Sequence, residues 1–225
     1  MTAAASPTPL PRLSLPVIAR AAGFAFTEGG YRLTQIAHVA AYLGVSVGAI
    51  YRYVDGKEAL FEASLLECAE LLDPDGPLPR RAMTGGALDA ALKGFFSSHA
   101  HWPQLREAVL ASSGDASAIA AELFDLLLRW APLVRLLERC ARDRPDLMDM
   151  FETGLRRPYM EDLSAWAAHA LQGDAKAIEA IARGAMEAVS WLAIRRPYDA
   201  TGRRISDPDA RAAAIALMRG ALALE

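Results

Sequence analysis

Cysteine is scarce: the 225 residues hold only two, Cys68 and Cys140. Neither has a partner at metal-ligand or redox-motif spacing, which excludes a disulfide scaffold and a zinc site; both are expected to be buried thiols of a cytoplasmic protein. Histidine is nearly as rare. His99 and His101 form an H-x-H pair and His169 lies far along the chain, but two residues apart on a helix point away from each other, so no metal is expected. No Ser/His/Asp, Cys/His or glycine-rich phosphate-loop arrangement occurs, and the carboxylates are scattered over polar faces. Neither catalytic residues nor a cofactor are therefore assigned, and no enzyme activity is expected. No apolar run approaches the roughly 18 residues of a membrane span. A stretch of charge followed by apolar residues is missing from Met1 to Pro11, and residues 1–13 read as a flexible N-terminal arm. A large surplus of positive charge is also missing: the formal net charge is -3, which excludes a surface that coats nucleic acid throughout but permits a local basic face.

What is present is alanine, leucine and a hydrophobic fraction of 53%. Apolar residues recur every three or four positions almost throughout, with proline and glycine as punctuation, so the fold class is all-α. Ser14 is a plausible cap for a first helix with Pro16 in its first turn and Ile18, Ala21, Ala22, Ala25 and Phe26 on one face; Gly29-Gly30 is expected to stop it. A second helix is read from about Thr34 to Leu43, a short third from Val47 to Tyr53 and a fourth from Lys57. Three prolines and three glycines between Asp73 and Gly86 mark a loop, dividing an N-terminal domain over 14–72 from a larger helical one over 87–225. Beyond the loop, helices are expected near 87–100, 104–112, 116–142, 146–171, 175–195 and 208–224, with Asp115, Asp174 and Asp207 among the caps. Pro132 and Pro158 are expected to kink or split two of them. Arg-Arg-Pro-Tyr occurs at 156–159 and at 195–198, but the flanks differ, so the pair reads as coincidence.

Residues 34–54 have the makings of a helix-turn-helix. Gly44 supplies a tight turn, Val45 plugs the angle, Ser46 caps the second helix, and Ile50 with Val54 faces back toward Ile36, Val39 and Ala40. Gly48, Ala49 and Arg52 are left facing outward, flanked by Tyr51 and Tyr53, and Lys57 stands at a helix start where a phosphate meets both a cation and backbone N–H groups. Two short helices forming an ordinary corner would account for the glycine turn alone.

At these positions the chain resembles the tetracycline-repressor (TetR) family of bacterial regulators. The matching residues are Ala21-Ala22, Phe26, Glu28-Gly29-Gly30-Tyr31, Thr34, Val39-Ala40, Gly44-Val45-Ser46, Gly48, Ile50-Tyr51, Tyr53, Lys57-Glu58 and Leu60, within about residues 14–64. The resemblance implies a three-helix DNA-binding domain followed by a helical domain that binds a small effector and dimerises. It also implies phosphate contacts from Thr34, Tyr51, Tyr53 and Lys57, with Ala37, His38, Val47, Gly48, Ala49 and Arg52 facing the groove and Ser46 capping. The implied partners are a palindromic double-stranded operator and a small, largely apolar effector that releases a repressor. Small apolar groove residues point to thymine methyls and DNA shape more than to many bidentate hydrogen bonds. Residues 12–57 carry five cations (Arg12, Arg20, Arg32, Arg52, Lys57) against two acids (Glu28, Asp55), a modest surplus that makes a second subunit necessary for useful affinity. That weak surplus also motivates a competing class, a helical ligand-binding protein that has lost DNA binding.

In the C-terminal half, Phe95, Phe96, Trp102, Trp130, Phe151, Tyr159 and Trp166 are the candidate walls of an effector cavity, against the alternative that they are plain core. The helices near 175–195 (Ile178, Ile181, Ala182, Ala185, Val189, Leu192) and 208–224 (Ala212, Ile215, Ala216, Met218, Leu222) carry alanine-rich apolar stripes that suit a four-helix interface shared by two copies.

Overall fold

The computed structural model describes residues 13–222, all helix and loop apart from one isolated bridge. The expected arm over 1–13 lies outside the described residues except for Leu13. Two compact units emerge, Met1–Gly85 and Gly86–Glu225.

The N-terminal unit contains α1 (Leu15–Leu33), α2 (Ile36–Leu43), α3 (Val47–Tyr51) and α4 (Lys57–Cys68). Helix α1 packs chiefly on α4, burying Ile18, Ala22 and Phe26 against Leu60 and Phe61 of the same core. Phe61 meets Phe26 edge-on at 5.0 Å and Tyr31 at 4.9 Å, so one aromatic cluster holds the unit's centre. Gly30 breaks the helical path with φ 76° and ψ 168°, although the helical turns resume as far as Leu33, three residues beyond the expected stop.

The loop after α4 is not a loose connection. Arg80 and Val54 form a parallel bridge in which the Arg80 N–H donates to Tyr53 O at 2.8 Å and the Asp55 N–H donates to Arg80 O at 2.9 Å. Glu62, buried in α4, accepts from the Met83 N–H at 2.6 Å. Residues 80–83 therefore belong to the N-terminal unit, which ends at Gly85.

The C-terminal unit comprises α5 (Ala87–His99), α6 (Pro103–Ala111), α7 (Ala116–Cys140), α8 (Pro145–Phe151), a π turn (Glu152–Arg156), α9 (Arg157–Ala170), α10 (Ala175–Ser190), a second π turn (Trp191–Arg195), two short 3-10 turns (Arg196–Tyr198, Gly202–Arg204) and α11 (Asp207–Leu222). Helix α7 is its spine, flanked by α11 and the second π turn, while α10 packs against α9 and α11. Asp115 and Asp174 cap as expected, accepting from Ser117 N–H at 2.8 Å and Lys176 N–H at 3.1 Å. Asp207 does not cap. Ser206 receives the Asp209 N–H at 3.3 Å, and Asp207 is taken by the guanidinium of Arg196, buried at 3% exposure, which also donates to Leu192 O at 2.9 Å and to Ile205 O.

Of the expected kink or split at Pro132 there is no split: α7 runs on through it, with the ring on the exposed face, where water can serve the carbonyl it leaves unpaired. The stretch expected as one helix over 146–171 is divided by the first π turn, with Pro158 in the opening turn of α9. Both Arg-Arg-Pro-Tyr sequences begin on the last residue of a π turn, Arg156 and Arg195, so the repeat that looked accidental marks a recurring local structure. Burial pushes the Cys68 thiol up to about 12, with Glu67 adding to the rise, and leaves it protonated; neither cysteine is in a disulfide.

Candidate functional site

Helix α2 ends on Gly44 in the left-handed region (φ 67°, ψ 30°). The Gly44 N–H donates to Ala41 O at 3.1 Å and the Val45 N–H to Ala40 O at 3.0 Å, the paired closure that reverses a chain tightly after a helix. Ser46 Oγ then accepts the Ala49 N–H at 3.2 Å and starts α3. Ile50 and Val54 are wholly buried, with Val39 and Ala40 on α2 also inside. The residues in between are turned outward: Val47, Gly48, Tyr51 and Arg52 are exposed and Ala49 half-exposed, while Ala37 and His38 are exposed on α2. His38 is held in place, its Nδ1 accepting the Gln35 N–H at 3.2 Å, which leaves the ring proton on the outward Nε2.

A shallow groove of about 340 Å³ lies between the start of α2 and α3, lined by Gln35, Ile36, Ala37, Val47, Tyr51 and Lys57. Lys57 Nζ is positioned from two sides: it donates to Arg32 O at 3.0 Å and sits 4.6 Å from the centre of the Tyr31 ring. Tyr31 is in turn fixed by donating to the Glu58 carboxylate. An ammonium has three donors, so the Arg32 carbonyl leaves donor capacity at the groove edge.

Two of the residues given phosphate contacts on the strength of resemblance are turned inward instead. Thr34 is 2% exposed, and its hydroxyl faces Gly30 O at 2.8 Å and Ala25 O at 3.0 Å. Its one proton is committed inside the α1–α2 turn, and a Cβ on Gly29 would stand 2.7 Å from that oxygen, so Gly29 makes room for it. Tyr53 is half-buried and donates to Leu13 O at 2.9 Å, tying α3 to the start of α1. Both position the helix-turn-helix rather than present a donor outward.

In the C-terminal unit all seven candidate aromatics are buried, and three of them meet at one cavity. Trp102, Phe151 and Tyr159 line an inner space of about 50 Å³ walled by Leu123, Leu127 and Leu155. Phe95, Phe96, Trp130 and Trp166 do not line it. Phe95 meets Trp130 edge-on at 4.8 Å and Phe96 at 5.4 Å, packed as core, and Trp166 is 1% exposed, its Nε1 only 3.3 Å from where a Cβ on Gly114 would stand. Trp102 Nε1 donates to Asp162 at 2.6 Å, fixing its ring 5.2 Å from that of Tyr159.

Four charged residues at this cavity were not among the candidates drawn from the sequence: Glu138, Arg156, Glu187 and Arg195. Arg195 donates to Glu138 at 2.6 Å, while Arg156 is paired with Glu187 and, at 2.6 Å, with Glu152. Burial pushes the Glu138 carboxyl above its ordinary range, with Arg195 acting in the opposite direction. The repeated Arg-Arg-Pro-Tyr was the available signal, since its first arginine in each copy reaches this cavity. A larger open cleft of about 840 Å³ on the first π turn, α9 and α10 is edged by charged residues such as Arg157, Glu161 and Arg183.

The apolar stripes assigned to dimerisation are mostly consumed within the unit. Ile178, Ala182, Ala185 and Val189 of α10, Leu192 just beyond it, and Met218 and Leu222 of α11 are buried, whereas Ile181 is 41% exposed, Ala212 and Ala216 are exposed and Ile215 is half-exposed; Leu217, beside the stripe, is 50% exposed. Among the described residues no group of three or more histidine, cysteine or acidic side chains is placed to hold a metal, and no helix is long and apolar enough to cross a membrane.

A positioning helix, a left-handed glycine turn and a short capped helix with a small, exposed outer face define a helix-turn-helix DNA-binding domain. Residues 18–64 match the family model described as bacterial regulatory proteins, tetR family. Over this segment the chain is similar to the DNA-binding domain of that family of bacterial regulators. No curated protein matches it in sequence. Solved structures similar to it include a putative TetR-family transcriptional regulator from Mesorhizobium loti, at 19% identity over 93% of this chain and 95% of that one, with a TM-score of 0.46. The TetR family regulator PfmR from Thermus thermophilus is 18% identical over 92% and 94%, with a TM-score of 0.44. The regulator FadR from Bacillus subtilis, solved in complex with stearoyl-CoA, is 17% identical over 93% and 98%, with a TM-score of 0.43.

Proposed function

We propose that the protein is a homodimeric repressor that grips a palindromic operator with residues 35–57 of each subunit and is released when a small, largely apolar effector occupies the C-terminal unit. The reading rests on one observation above the others: Ala37, Val47, Tyr51 and Lys57 converge on a single groove, with Gly48 and Arg52 exposed beside it. Lys57 and Tyr51 supply the phosphate contacts; Arg52, His38 and the small apolar residues meet base edges and thymine methyls. Thr34 and Tyr53 act from inside, by holding the two helices at their angle. The second copy docks through the exposed residues of α10 and α11, Ile181 and Leu217 among them, which brings two recognition helices onto one side of the duplex.

Selection of bound fragments from a random DNA pool at low salt is expected to enrich an inverted repeat; enrichment of no sequence at all would sink the proposal. In the same assay Lys57→Ala and Tyr51→Ala should each weaken binding about 5- to 10-fold, on operator and unrelated DNA alike, because phosphate contacts carry little sequence information. The dimer should survive both changes by size-exclusion chromatography. Unaltered affinity would remove that residue from the phosphate set.

A further inference from the structure

Resting on the effector-responsive reading above, we propose that the inner cavity of the C-terminal unit binds an uncharged, mainly apolar molecule carrying one hydrogen-bond acceptor for Tyr159, and that the Arg156–Glu187 and Arg195–Glu138 pairs form its gate. The starting point is the Tyr159 hydroxyl. It is buried, the residue is 3% exposed, and its oxygen has no hydrogen-bond partner among the described residues. Buried hydroxyls are nearly always satisfied, so one left open on a cavity wall is an exception that a ligand group can resolve. Burial, reinforced by Glu122 and Asp162, pushes this hydroxyl far above the ordinary tyrosine range, which keeps it protonated and makes it a donor. A carbonyl or ether oxygen is the complement it lacks.

The rest of the wall sets the remaining chemistry. Trp102, Leu123, Phe151 and Leu155 offer hydrocarbon and ring faces, against which a bare charge would be costly to desolvate. The charges at the edge are already matched to one another, Arg156 with Glu152 and Glu187 and Arg195 with Glu138, so no unpaired cation or carboxylate there selects an ionic ligand. An uncharged body with a single polar atom fits both conditions.

Volume supplies the gate. About 50 Å³ exceeds one water's share of about 30 Å³ but falls far below the roughly 300 Å³ at which ligand pockets begin, so an occupant of useful size has to part the walls. The elements that must part are the ones the ion pairs tie together: Arg195 joins the second π turn to α7, and Arg156 joins the first π turn to α10. Both arginines stand at the last position of a π turn, a backbone form concentrated at functional sites. A ligand that binds the parted form better than the closed one shifts the unit toward it, which is the requirement for an effector.

The probes are acetophenone, ethylbenzene and benzoate, matched in size and differing in acceptor and charge, titrated by calorimetry into the full chain without DNA. Acetophenone is expected to bind about tenfold tighter than ethylbenzene and tighter than benzoate. Tyr159→Phe should bring acetophenone down to the ethylbenzene level and leave ethylbenzene unchanged, without lowering the thermal midpoint of the unliganded protein. Glu138→Gln with Glu187→Gln should raise acetophenone affinity severalfold by loosening the gate, and unchanged affinity would overturn the gate. Equal binding of acetophenone and ethylbenzene, preference for benzoate, a Tyr159→Phe variant that keeps the preference, or no binding by any probe would overturn the site. The DNA selection is independent of these titrations, so their failure leaves the DNA-binding reading to be judged by its own result.

Discussion

Phe61→Ala is expected to remove on the order of 3–5 kcal/mol from the N-terminal unit, the usual range for emptying a buried phenylalanine site. Phe61 has no exposed surface, and it is the ring on which Phe26 and Tyr31 both rest edge-on. A domain this small commonly has about 5–15 kcal/mol in hand, so the loss takes a large share of it. The consequence reaches the proposed interface by a short route. Tyr31 loses its packing partner, and it is Tyr31 that orients Glu58 and lies under the Lys57 amine. Hydrogen exchange is the suitable measurement: amides of α1 and α4 should lose protection while those of α7 and α10 keep theirs, because the two units have separate cores. A loss below about 1 kcal/mol, which is within the range of surface substitutions and mild repacking, would mean that the aromatic cluster is not what organises this unit.

How much of this could be read from sequence depended on how local the cause was. The Gly44 turn, the Ser46 cap and the inward placement of Ile50 and Val54 are each set by residues within a few positions, and each is found where periodicity and turn chemistry put it. The hydroxyls of Thr34 and Tyr53 were not legible in the same way. Tyr53 bonds a carbonyl 40 residues earlier, at Leu13, and Thr34 owes its burial to the break at Gly30 and to the missing side chain of Gly29. A resemblance transfers a residue's position but not the direction its side chain takes.

The inner cavity shows the same limit more sharply. Aromatic residues at helical spacing look alike whether they close a core or line a space, and only Trp102, Phe151 and Tyr159 of seven reach the cavity. The ion pairs at its edge join residues 31 and 57 positions apart, beyond any spacing rule. The π turns were hidden because a widened turn leaves the apolar pattern almost unchanged. What it alters is the phase of the residues at its end, and that is how the first arginine of each Arg-Arg-Pro-Tyr comes to the cavity edge.

Val47→Asp separates folding from DNA binding more cleanly than any truncation, because the two effects are expected to have opposite signs. Val47 is the first residue of α3, 39% exposed, and it lines the groove with Tyr51 and Lys57. A carboxylate in the first turn of a helix faces the unpaired N–H groups and the positive end of the dipole, worth about 0.3–1 kcal/mol in favour of the fold. Removing an exposed valine costs little in return, so the unit should melt at or slightly above the wild-type temperature. On DNA the same carboxylate is set against the negative potential of the groove. Like-charge juxtaposition at an interface costs several kcal/mol, which corresponds to an affinity loss of at least about 100-fold on every sequence. Raising the salt should narrow the gap between variant and wild type, since both the attraction and the added repulsion are screened. A variant that melts normally and still binds within a few-fold of wild type would show that the Val47 face of α3 does not lie against DNA, and would move the proposed interface elsewhere on the unit.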